Sequence, residues 1–232
     1  MKRTLICLVA LSCSVAVAKA ADLPVKAARS VAAPSFGWTG FYAGVEGGYE
    51  WGRDRTVEFF GFGGLPTGFT HRFRPEGGFG GVHVGYNHQF DRFVVGIEGD
   101  ADFGRANGGF TSAGIFRYDA RREWEASVRG RFGYTPTERL LLYVTGGVAF
   151  TELKYSWVDT TGFFPPVDAS VSKVGWTAGI GGEAALTNRV TARLEYRYSD
   201  FGTTRFDWPA IGGSYEQHPR FQSVRGGVSV RF

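Results

Sequence analysis

Phe221-Gln222-Ser223-Val224-Arg225-Gly226-Gly227-Val228-Ser229-Val230-Arg231-Phe232, the last segment of the chain, alternates strictly. Val224, Gly226, Val228, Val230 and Phe232 share one side, while Ser223, Arg225, Gly227, Ser229 and Arg231 share the other. A period of two puts successive side chains on opposite faces of a β-strand. One face is apolar and the other polar. A soluble sandwich would alternate in the same way, so the pattern alone does not say which face is inside. An aromatic residue in the final position is a feature of outer-membrane barrels, and Phe232 would then be the assembly signal read by the barrel-assembly machinery.

The opposite end of the chain points the same way. Lys2 and Arg3 precede an apolar run from Leu5 to Val17, followed by Ala18-Lys19-Ala20. Those are the parts of a cleaved secretory signal peptide, residues 1–20. Cys7 and Cys13 both lie within it, which leaves no thiol for a disulfide or a metal site in the exported part. Lys2, Arg3 and Lys19 leave with the signal and bring the whole-chain charge of +4 close to neutral. No nucleic-acid partner is expected. Residues 21–36 are Ala/Pro-rich without periodicity and read as a periplasmic linker, leaving 37–232 as the barrel domain.

Seven further segments alternate, at about 39–51, 78–89, 93–105, 122–134, 140–155, 173–186 and 190–199. The fifth is the least regular, because Leu140-Leu141-Leu142 is apolar on both faces. Phe90-Asp91-Arg92, Thr135-Pro136-Thr137-Glu138 and Thr187-Asn188-Arg189 are short turns. The connections at 52–77, 106–121, 156–172 and 200–220 are long. Short turns on one side and long loops on the other describe an outer-membrane β-barrel. The expected fold is therefore all-β, an eight-stranded antiparallel transmembrane barrel with short periplasmic turns and four long extracellular loops. Trp51, Tyr86, Trp124, Tyr134, Trp157 and Tyr198 near the strand ends would form aromatic girdles.

The chain resembles the small alphaproteobacterial outer-membrane proteins with a porin-like, opacity-type β-barrel domain. The resemblance is carried by Ala21-Asp22-Leu23-Pro24, by Trp38-Thr39-Gly40-Phe41-Tyr42-Ala43-Gly44 and by Val94-Val95-Gly96-Ile97-Glu98-Gly99-Asp100. It continues in Arg129-Gly130-Arg131-Phe132-Gly133-Tyr134, Tyr143-Val144-Thr145-Gly146-Gly147-Val148-Ala149 and Glu195-Tyr196-Arg197-Tyr198. It implies an outer-membrane location and an abundant surface protein, some relatives being porin-like or hemin-binding.

The polar faces of these strands combine Glu46, Glu98, Asp100, Asp102, Glu125, Glu183 and Glu195 with Arg129, Arg131, Arg193, Arg197, Arg225 and Arg231. An eight-stranded barrel is just wide enough for side chains to fill. The expectation is a packed, ion-paired lumen network, and an open charge-lined pore is the rival. Glycines on the strands would make room for the long arginines. His71 and His218, in the second half of the first and in the last long loop, are the candidate axial ligands for hemin. No metal site and no catalytic group are expected, since Ser112, Ser156 and Ser214 stand in no nucleophile setting. The expected role is structural and surface-interacting, with outer-membrane lipid and lipopolysaccharide as partners and any further external ligand unknown. A narrow-pore porin and a hemin receptor are the alternatives.

Overall fold

The computed structural model describes residues 36–60, 65–112, 116–163, 165–208 and 213–232, with side chains omitted at 54–60, 65–73, 112, 116, 157, 167, 204, 206–208 and 213–215. The signal segment and most of the expected linker lie outside these residues. Among the described residues there are eleven strands: β1 (Gly40–Phe60), β2 (Leu65–Phe73), β3 (Glu76–Phe90), β4 (Phe93–Ser112), β5 (Phe116–Thr137), β6 (Leu140–Asp159), β7 (Val167–Ala185), β8 (Val190–Asp200), β9 (Thr204–Trp208), β10 (Gly213–Gln217) and β11 (Arg220–Arg231).

Neighbours pair antiparallel in the order β11-β8-β7-β6-β5-β4-β3-β1, and β1 pairs with β11 to close the ring. Eight strands close the barrel, as the alternation predicts. Closure matters because it removes the unpaired edges that an open sheet would expose to lipid. The final segment supplies the seam. Tyr42 to Arg53 run opposite Arg231 to Arg220, and the Phe232 amide donates to the Phe41 carbonyl at 3.0 Å.

The outward face is the apolar one. Val45, Val82, Ile97, Val128, Ile180, Leu194 and Val228 are all exposed, whereas Glu46, His83, Glu98, Arg129, Glu195 and Arg225 are buried. That inversion of the soluble pattern is what lipid requires. Outward-facing aromatics gather toward the two ends. Phe41 and Tyr86 (centroids 4.8 Å apart) and Phe93 and Tyr134 (5.6 Å) stand toward the turns. Trp51 and Tyr196 (6.5 Å) and Trp176 and Tyr198 (5.3 Å) stand toward the loops. Trp157 is a girdle candidate whose side chain lies outside the described set.

The loops contain more strand than the sequence suggests. β1 continues to Phe60 and pairs with β2, β4 and β5 continue to Ser112 and from Phe116, and β9 pairs with β10. Gly- and Thr-rich stretches with weak hydrophobic alternation still form ladders here, because the barrel strands beneath fix their register.

Two glycines show why small residues line the interior. A Cβ on Gly227 would stand 2.9 Å from the Val45 carbonyl oxygen, 3.2 Å from Glu46 Cβ and 3.3 Å from Arg193 Nε, so the glycine makes room for the neighbouring strand and for an arginine. Gly48 admits both the partner strand and a ring: its Cβ would run into the Val224 carbonyl oxygen and meet Phe79 Cζ at 2.8 Å and the Arg225 backbone at 2.9 Å. Gly48→Val is expected to lower barrel stability by about 1–3 kcal/mol through overpacking. The check is the urea midpoint of the protein refolded into lipid vesicles; an unchanged midpoint would show that Phe79 and the β11 backbone both yield.

A sealed, ion-paired lumen

The inward side chains form three tiers. At the periplasmic end Phe36, Trp38, Val94, Leu141, Tyr143 and Ala185 make an apolar plug. Trp38 is pinned by its indole N–H, which donates to the Glu138 carbonyl at 3.1 Å, and its amide donates to Gln89 Oε1 at 2.7 Å. Phe36, the last residue of the expected linker, packs edge-on against Trp38 with centroids 4.9 Å apart. The plug also explains the irregular Leu140-Leu141-Leu142: Leu141 is fully buried while Leu140 and Leu142 face lipid.

The middle tier is charged. Arg129 lies at its centre, 1% exposed. Its Nη1 donates to Glu195 Oε1 at 2.7 Å and Thr145 Oγ1 at 2.9 Å, and its Nη2 to Glu98 Oε1 at 2.5 Å and Asp100 Oδ2 at 3.0 Å. Arg193 joins Glu98 Oε2 (2.6 Å) to Glu46. Arg197 joins Asp100 Oδ1 (2.8 Å) to Glu195 Oε1 (3.0 Å). Arg225 Nη1 spans Glu46 Oε1 (3.0 Å) and Asp102 Oδ2 (2.7 Å). Arg131 pairs with Glu183 and lies over the Tyr143 ring, 3.8 Å from its centroid. Each carboxylate thus accepts from a fixed guanidinium donor, which is how buried charge is tolerated.

Neutral groups complete the web. Tyr42 donates to Glu98 Oε2 at 2.7 Å, Ser127 to Asp100 Oδ2 at 2.6 Å and Thr191 to Glu183 Oε1 at 2.6 Å. His83 lies 2.8 Å from Ser229 Oγ through Nε2 and 3.4 Å from Glu46 Oε2 through Nδ1.

The structure brings together twelve of the thirteen sequence candidates. Glu125 belongs to the network through Arg122, a residue that alternation places wrongly. Reading 122–134 as one regular strand turns Arg122 outward with Trp124. A one-residue register shift between Arg122 and Glu125 switches the parity, so Arg122 points inward to Glu50 and Glu125. Bulges of this kind leave no reliable trace in an alternation count. Arg231 is the thirteenth and stands apart: it donates to the Gly37 carbonyl at 2.5 Å and lies over the Phe36 and Trp38 rings, at 4.8 and 5.4 Å. It holds the periplasmic plug rather than a carboxylate.

The outer tier is apolar again. Ala106, Tyr118, Ala120, Ala149, Leu153, Tyr155, Phe201 and Phe221 fill the extracellular end, with Arg122 lying 4.0 Å over the Phe221 ring. The crevice among Pro75, Ala120, Leu153, Tyr155, Pro219 and Phe221 has an open volume near 10 Å³. That is room for about one water.

His218 sits outside the barrel's polar core, with Nε2 2.9 Å from Asp200 Oδ1 and Nδ1 3.5 Å from Thr203 Oγ1. The His71 side chain lies outside the described set; its backbone pairs with Thr56. Among the described residues Glu46, Asp100 and Asp102 approach closely enough to suggest a cation site, but Arg193, Arg197 and Arg225 already supply their positive charge.

A closed barrel of eight lipid-facing strands around an ion-paired, doubly plugged lumen is a small outer-membrane barrel protein. The comparisons with known proteins agree. The family model described as "Outer membrane protein beta-barrel domain" matches residues 5–232, and the chain belongs to that family. It is 34% identical over 217 residues to a 22 kDa outer membrane protein of Rhizobium leguminosarum bv. viciae, covering 92% of this chain and 83% of the relative. It is 33% identical over 254 residues to a 31 kDa outer-membrane immunogenic protein of Brucella melitensis, covering 93% of each. Among solved structures, the outer membrane protein OprG of Pseudomonas aeruginosa superposes with a TM-score of 0.52 at 12% identity, over 84% of this chain and 97% of that one. The last likeness concerns fold alone. The protein resides in the cell outer membrane.

Proposed function

We propose that this barrel is a sealed, non-enzymatic envelope element whose working surface is its outer rim and loops. The observation that carries the reading is the lumen itself. Arg129 alone ties three carboxylates from β4 and β8 across the middle, and apolar plugs close both ends. A narrow-pore porin needs a continuous water path, which such packing disfavours. Hemin capture through His218 would fall to Nδ1, since Asp200 holds Nε2, and would compete with the Thr203 hydroxyl 3.5 Å away. Relatives described as immunogenic outer-membrane proteins fit a role in which the loops meet the exterior. Phe232, itself 82% exposed, would in this reading be the assembly signal.

Single-channel conductance in a planar bilayer tests the reading. Folded protein, verified by its faster migration on an unheated gel, is expected to stay silent. Discrete, reproducible openings from that sample would replace the sealed element by a porin.

A further inference from the structure

Three arginines stand abreast on the outer wall. Arg53 and Arg220 are direct partners across the β1–β11 seam. On the other side of β1 the register is the same at Trp51↔Glu76 and at Asp54↔Phe73, so Arg74 faces Arg53. The Gly52 amide bonding to the Pro75 carbonyl at 2.6 Å closes the interval between the two ladders. All three side chains are exposed, and the inward neighbours Gly52, Pro75 and Phe221 are buried. Like charges directly opposite one another on a sheet repel.

The available acids do not offset them. Asp200 Oδ2 accepts from Arg220 Nε at 3.1 Å, while its other oxygen is engaged by His218. Glu76, the next outward carboxylate, lies beside the Tyr49 side chain. Arg53 and Arg74 have no carboxylate partner among the described residues. Two of three positive charges are left over.

Their height identifies the occupant. Immediately toward the membrane lie Trp51 and Tyr196, 6.5 Å apart, and the Tyr196 hydroxyl donates to Gln222 Oε1 at 2.7 Å. Tryptophan and tyrosine sit at the headgroup level of a bilayer. Guanidiniums one step beyond that belt meet lipid phosphate, for which their forked donors are suited. We propose that Arg53, Arg74 and Arg220 form a binding site for the phosphate of an outer-leaflet lipid headgroup, the glycolipid phosphate of lipid A being the chemistry that fits. The site spans the seam between first and last strands, so an occupant also bridges the barrel closure. The inference rests on the membrane-barrel reading and deepens its surface role.

The test uses protein taken from the outer membrane, refolded in detergent free of lipid, with folding checked by unheated-gel migration. Bisphosphorylated lipid A and its dephosphorylated form are titrated separately, following tryptophan fluorescence. Tighter binding of the phosphorylated form is expected. Arg53→Gln/Arg74→Gln is expected to weaken it on the order of thirty-fold, from the typical strength of two arginine contacts at a charged membrane surface. Arg117→Gln, which removes an exposed arginine paired with Asp119 at 2.9 Å, is the control and should change binding little. Equal affinity for the two lipid forms overturns the site, as does an equal loss in the control. Competition by millimolar inorganic phosphate against the lipid overturns the lipid assignment in favour of a free anion. Protein that never shows the folded migration counts against the barrel reading instead.

Discussion

Arg129→Met is expected to cost about 3–5 kcal/mol of barrel stability, the range for removing one partner from a buried ionic network. Methionine fills most of the space and leaves Glu98, Asp100 and Glu195 each short of a donor. The remaining arginines cannot move over, since Arg193 and Arg197 are already bonded to the same carboxylates. The urea midpoint in lipid vesicles reports the loss. Adding Glu195→Gln should restore part of it, because one of the uncompensated charges is then removed. A loss below about 1 kcal/mol, the value of an exposed pair, would mean that water reaches the lumen. The sealed reading would fail with it.

Leu194→Arg is expected to impair assembly by about 2–4 kcal/mol, the cost of an arginine on the lipid face near the bilayer midplane. Leu194 is 64% exposed to lipid and sits in mid-strand opposite Gly226 and Gly182. Val228→Arg, on the adjacent strand and also exposed, should behave alike. The folded fraction on an unheated gel measures both. Leu194→Ala keeps the site neutral and should fold normally, which separates charge from lost side-chain volume. Normal folding of both arginine variants would reverse the assignment of faces.

Much of the barrel is legible in the chain because lipid imposes a strict rule at every residue. Turn positions, the membrane-spanning core of each strand and the inward set from Glu46 to Arg225 follow from a period of two. The failures fall where something other than the membrane decides. The bulge before Glu125 rotates Arg122 into the lumen, and the ladders above the rim continue without hydrophobic alternation. Arg231 keeps the right face but finds Gly37 and two rings instead of an acid, because the segment from Phe36 folds under the barrel.

By itself the sequence determined the class, the eight strands that close the ring and, away from the bulge at Arg122, which side chains face lipid, since alternation is local and needs no knowledge of the partner strand. Only the tertiary structure decided which arginine meets which carboxylate, that both ends of the lumen are plugged, and that Arg53 stands between Arg74 and Arg220. Those outcomes depend on register and closure between residues as far apart in the chain as Glu46 and Arg225, and register is fixed only when the strands pair.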